Sequence, residues 1–67
     1  MLLIINGSNQ NIDLKENTLQ ELLQNVNFYD KKIVVEHNAQ IIMKKDFAQT
    51  KLSEKDKIEI IQLMGGG

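Results

Sequence analysis

One stretch of helical period sits in a chain otherwise patterned for strands, and that single change of period excludes most folds. Leu19, Leu22, Leu23 and Val26 recur at i, i+3, i+4 and i+7, which is one face of a helix. Gln20, Glu21, Gln24 and Asn25 take the opposite face. Thr18-Leu19-Gln20-Glu21 matches a capping box, with Thr18 as N-cap and Glu21 three residues on. Asn27 tolerates the left-handed conformation and marks the stop. The leucine stripe is therefore core, and it needs a second layer to pack against.

The strands follow from the same reasoning. Leu2-Leu3-Ile4-Ile5 is an apolar run, and Asn6-Gly7-Ser8-Asn9 after it is a dense turn signal. Ile12 and Leu14 alternate with Asn11 and Asp13, so a second strand is expected there, paired to the first through a turn near Gly7. Phe28 and Tyr29 cover the end of the helix. Ile33-Val34-Val35 starts a strand that runs to about His37, Asn38-Ala39 turns, and Gln40-Ile41-Ile42-Met43 returns. Lys44 to Ala48 reads as a polar connection with Phe47 as its buried member, and Leu52 is a second anchor. Ser53 to Lys57 is a charged turn, and Ile58 to Met64 is the last strand. The expected order is β-β-α-β-β-β, a single α+β domain over residues 1–67 with a flexible tail at 65–67. A mixed sheet of four to five strands packs on one helix. Its first and last strands can lie parallel in the centre, because the chain between them supplies a long crossover. That arrangement is the β-grasp, or ubiquitin-like, topology. The expected core is Leu3, Ile5, Leu19, Leu22, Leu23, Val26, Val35, Ile58 and Ile60.

Composition limits what such a domain can do. A 67-residue chain buries only about 60% of its unfolded surface, so one efficient core must suffice. There is no cysteine and one histidine, His37, which excludes a disulfide framework and leaves too few ligands for a metal site. The net charge is −1, and the eight basic residues are all lysine. Arginine is the usual residue for phosphate and guanine contacts, so a nucleic-acid partner is not expected. No apolar run approaches the roughly 20 residues that span a bilayer. Met1 to Ile5 is too short for a signal peptide. The expectation is a soluble cytoplasmic protein, monomeric when free.

No side chain reads as catalytic. His37 is in phase with Ile33 and Val35 and has no partner nucleophile, so a half-buried histidine at the sheet rim is expected. Ser8 and Ser53 lie in turns without a nucleophile-elbow motif. Glu54, Asp56 and Glu59 read as a solvated turn and strand edge. No helix follows the glycines, so they form no phosphate loop. The remaining group is the tail Gly65-Gly66-Gly67. Glycine adds no side-chain bulk, and three such residues, extended, reach roughly 10 Å. A tail of this kind suits threading into a partner's narrow site through Gly65 and Gly66. On the glycines alone, a frayed end is the favoured reading. The carboxylate of Gly67 is ionised at neutral pH and needs activation by another protein, as a mixed anhydride with AMP, before it can react. If Ile58 and Ile60 point inward, alternation turns Glu59, Ile61 and Leu63 outward. With Met64 they form an expected partner-binding surface beside the tail. A curled sheet would instead bury Ile61.

The sequence resembles the ThiS family of sulfur carriers over its whole length. The resemblance rests on the opening strand ending in Asn6 and on Thr18-Leu19-Gln20-Glu21-Leu22-Leu23. It rests also on Val35-Glu36-His37-Asn38 and on Asp56-Lys57-Ile58-Glu59-Ile60 running to the glycines. It implies a protein co-substrate rather than an enzyme. A ThiF-like adenylyltransferase, which uses ATP, would adenylate Gly67. A sulfur donor system would convert the adenylate to a thiocarboxylate, and a ThiG-like thiazole synthase would take the sulfur for the thiazole of thiamine. The carrier itself is expected to hold no cofactor. Two positions depart from the family pattern: Lys55, where members often have glycine, and the end of the fourth strand, where they often have proline. Alternatives are a carrier for molybdopterin or amino-acid sulfur assembly, a ubiquitin-like protein modifier, and a plain β-grasp interaction module.

Overall fold

Asn6 and Gly7 set the first register. In the computed structural model, which describes residues 1–29 and 31–63, both have positive φ, 49° and 79°. A two-residue Asn-Gly turn with both centres left-handed matches the twist of the strands it joins. It places Ser8 opposite Ile5 and Asn11 opposite Leu2. Strand β1 (Leu2–Ile5) therefore pairs with β2 (Ser8–Asn11). This corrects the expected second strand at Asn11 to Leu14: a tight turn decides the register, although every residue of β2 is polar and exposed. Ile12 and Leu14 lie half-buried against the core beyond the strand.

Helix α1 (Leu19–Asn25) begins as its sequence predicts, with Thr18 Oγ1 accepting from Glu21 N at 3.1 Å. The other half of the capping box differs. Glu21 is not bonded to the Thr18 N–H; the bridge between Thr18 and Lys51 is made by Leu19 N to Thr50 O at 2.9 Å and Leu52 N to Asn17 O at 2.7 Å. The Glu21 carboxylate instead accepts from Lys15 N at 2.6 Å, Glu16 N at 2.8 Å and Asn17 N at 3.2 Å. These bonds, led by the one from Lys15, hold its carboxyl below the ordinary value. The helix stops at Asn27 as expected, with φ 65°. Asn27 N bonds Gln24 O at 3.3 Å and Phe28 N bonds Leu23 O at 2.8 Å, a Schellman arrangement that satisfies the last carbonyls.

Strand β3 (Ile33–His37) turns at Asn38-Ala39, both left-handed with φ 50° and 72°, into the short edge strand β4 (Gln40–Ile42). Met43 leaves the strand with φ −79°, a value that proline also adopts. The expected polar connection is a 3₁₀ helix, Lys44–Gln49, and it carries Phe47 into the core. Strand β5 (Lys57–Gln62) ends short of the expected Met64. The preceding turn is left-handed at Lys55, φ 70°. That is the conformation for which glycine is best suited, so the turn survives the substitution at a conformational cost.

The sheet order is β2-β1-β5-β3-β4. Strands β1 and β5 are parallel in the centre, with Ile5 beside Ile58, as the crossover argument predicts. All of the expected core is buried except Val26, which is half-buried because it caps the open end of the helix. Phe47 and Leu52 complete the core.

Candidate functional site

Strand β5, which the glycine tail follows in sequence, is held on both edges. Strand β5 bonds β1 on one side and β3 on the other, from Ile33 opposite Gln62 to His37 opposite Ile58. One further bond, Leu63 N to Lys32 O at 2.9 Å, holds the chain to the last described residue. Two devices on β1 fix β5 in register. Asn6 ends β1 and its Oδ1 accepts from Ile60 N at 2.7 Å, so a side chain supplies the acceptor that a longer strand would have supplied. At the other end, Glu54 Oε2 accepts from Leu2 N at 2.7 Å and Leu2 O accepts from Lys55 N at 2.6 Å.

The outer face of the sheet agrees with the alternation argument. Ile58 and Ile60 are buried, Glu59 is exposed, and Ile61 and Leu63 are each 48% exposed. The sheet therefore does not curl over Ile61. Met64, Gly65, Gly66 and Gly67, the remaining expected site residues, lie outside the described residues. Sequence reading left two apolar residues out of this face. Ile41 is 63% exposed and stands opposite Glu36, which stands opposite Glu59. Met43 is 60% exposed, and continuing the same register by one step brings it beside Val34, the partner of Ile61. The two-residue turn at Asn38-Ala39 was the available signal, since its length alone pairs these residues.

His37 and Asp56, two of the side chains considered for chemistry, are structural. His37 is half-buried at the rim, as expected, and its Nε2 donates to Asp56 Oδ2 at 2.7 Å. Asp56 also accepts from Ser53 N at 2.8 Å and from Asn38 Nδ2 at 3.1 Å. Burial alone would raise its carboxyl. The bonds from His37, Ser53 and Asn38 outweigh burial and leave it below the ordinary value. This node joins the β3–β4 turn to the turn before β5, at the end of the sheet where β5 begins. Among the described residues no three metal-ligating side chains cluster, and no helix is long and apolar enough to cross a membrane.

The comparisons with known proteins match this geometry. The model of the ThiS family matches residues 3–67. The chain belongs to the ThiS family. Membership makes it a small sulfur-carrier protein of thiamine biosynthesis, acted on by partner enzymes and not itself a catalyst. It is 33% identical to the sulfur carrier protein ThiS of Bacillus subtilis over 66 residues, 98% of this chain and 100% of that one. The crystal structure of a thiamine biosynthesis protein, ThiS, from Geobacter metallireducens superposes with a TM-score of 0.84 at 29% identity, each chain covered in full. A thiazole synthase of Paramagnetospirillum magneticum is 36% identical over 67 residues, and there the chain spans only 20% of the protein's length. The ThiS fold confirms the β-grasp reading, and the family places the chain among proteins that work with the thiamine-pathway enzymes.

Proposed function

We propose that the Gly67 carboxylate is the sulfur-bearing group. A ThiF-like adenylyltransferase binds ATP, and a carboxylate oxygen of Gly67 attacks the α-phosphorus, releasing pyrophosphate. The acyl adenylate is then open to a sulfur nucleophile from a donor system. With the sulfur delivered at the sulfide level, the C–S bond forms as the C–O bond to AMP breaks, AMP and a proton leave, and the tail ends in a thiocarboxylate. A ThiG-like thiazole synthase takes that sulfur. The carrier holds no cofactor in this scheme, since the ATP belongs to the enzyme, and carrier and enzymes share the cytoplasm.

The observation that carries this reading is the family match running through Gly65, Gly66 and Gly67. The central position of β5 supports it, because a strand held on both edges presents the following residues from a fixed point. Thiazole synthase as the receiving enzyme is supported by a thiazole synthase that contains a segment similar to this whole chain.

The test is ATP–pyrophosphate exchange with the cognate adenylyltransferase, followed by intact-mass measurement after the sulfur donor is added. Wild type should exchange and then gain the mass of sulfur for oxygen at its C-terminus. Deleting Gly67 shortens the tail by roughly 3.5 Å, enough to misplace the reacting carbon and abolish exchange. Equal exchange by both proteins, or no sulfur on wild type, refutes the proposal.

A further inference from the structure

Glu36 on β3 and Glu59 on β5 stand directly opposite each other, and both point away from the core. Directly paired residues on antiparallel strands have Cβ atoms about 5 Å apart, and like charges at that spacing destabilise a sheet. Among the described residues the ion pairs are His37–Asp56 and Lys45–Asp46, and neither involves these two carboxylates. Folding therefore gains nothing from the pair. Its surroundings are the second observation. Ile41 adjoins Glu36 across β4, while Val34 and Ile61 form the next rung, so two acids sit at the edge of an exposed apolar patch. A partner that covers the patch must also take the carboxylates out of water. Burying two unneutralised negative charges is prohibitive, so the covering surface must bring positive charge to that spot.

We propose that the surface which covers this face is a protein surface, apolar around one cationic side chain, and that the cation seats between Glu36 and Glu59. Arginine fits best, because its planar fork bonds two carboxylates at once. The inference rests on the function proposed above only in taking the tail's partner to be a protein. The pair then acts as a selectivity device. It costs stability in the free carrier, rejects acidic surfaces, and is neutralised only by a complementary one.

The experiment is calorimetric titration of the cognate adenylyltransferase with wild type and with a Glu36→Gln/Glu59→Gln double variant, at low and high salt. The double variant should bind about tenfold more weakly or worse, with a flattened salt dependence, as expected when a desolvated charge pair loses one side. It should melt no lower than wild type when free. An Asp13→Asn/Glu16→Gln variant, which removes two charges elsewhere, should bind within about twofold of wild type, since exposed charges far from an interface contribute little. If Ile61→Asp abolishes binding while the Glu36/Glu59 variant binds like wild type, the face docks without a cation and the proposal is overturned. It falls too if the control variant weakens binding equally, if the double variant loses stability, or if Ile61→Asp binds normally. Sulfur gain at Gly67 is read independently by mass, so none of these outcomes is confused with failure of the carrier function.

Discussion

Asp56 offers the sharpest test of how this small domain holds its last strand. Replacing it with alanine removes a carboxylate that accepts three hydrogen bonds, from His37 at 2.7 Å, Ser53 N at 2.8 Å and Asn38 at 3.1 Å. A net hydrogen bond to a charged group contributes about 1.5–3 kcal/mol. Ser53 and Asn38 are exposed and regain water when the carboxylate goes. Their two bonds therefore count for little. The His37 bond, between side chains only 17% and 13% exposed, counts nearly in full. The expected loss is about 2–3 kcal/mol, a large part of the roughly 3–10 kcal/mol available to a domain of this size. The pH dependence has a definite sign. The carboxyl is depressed in the folded state from its ordinary 3.8. Its stabilisation is present above that value and is lost as pH falls through the lower folded pKa. Urea unfolding of wild type and Asp56→Ala should therefore differ by the full amount at pH 7 and by progressively less as the pH is taken below 3.8. A difference below about 1 kcal/mol at pH 7, or one unchanged in acid, refutes the account of this node.

Leu22→Ala, at a fully buried position, should cost about 2–5 kcal/mol and lower the melting temperature accordingly. A melt indistinguishable from wild type would mean that the leucine stripe is not the core. Ala39→Gly and Lys55→Gly relieve left-handed residues at φ 72° and 70°. Each should raise stability in urea by up to about 1 kcal/mol, whereas strain-free turns would lose stability instead. Gly66→Ala should slow pyrophosphate exchange while leaving the thermal melt unchanged, because a Cβ collides in a narrow partner channel. Exchange at the wild-type rate would remove the steric argument for the glycines.

Much of this architecture could be read from period and turn chemistry. The helix stripe from Leu19, its stop at Asn27, the strand Ile33 to His37 and the outward turn of Ile61 all rest on local rules, and the structure agrees. The misses share a cause. Strand β2 is wholly polar and is a strand only because Asn6-Gly7 dictates its register against β1. The 3₁₀ helix at Lys44–Gln49 has one apolar anchor, Phe47, and no period to betray it. Glu21 obeyed its capping signal on one side, and on the other its carboxylate gathers the three backbone N–H groups of Lys15, Glu16 and Asn17, a turn that the capping pattern does not encode. The Glu36–Glu59 pair was beyond sequence reading, since it depends on the exact register between two strands more than 20 residues apart.

The parallel pairing of β1 with β5 also governs how the protein reaches its native state. The bond from Leu2 N to Glu54 spans 52 residues, so the centre of the sheet cannot close until nearly the whole chain is available. Non-local closure of that kind slows folding relative to helical domains of the same length. Until β5 arrives, β1 keeps one unpaired edge, and Leu3 and Ile5 lie beside it without their cover. The other edge of that hairpin, β2, is only four residues long, and so short an edge offers little length for pairing with a second chain.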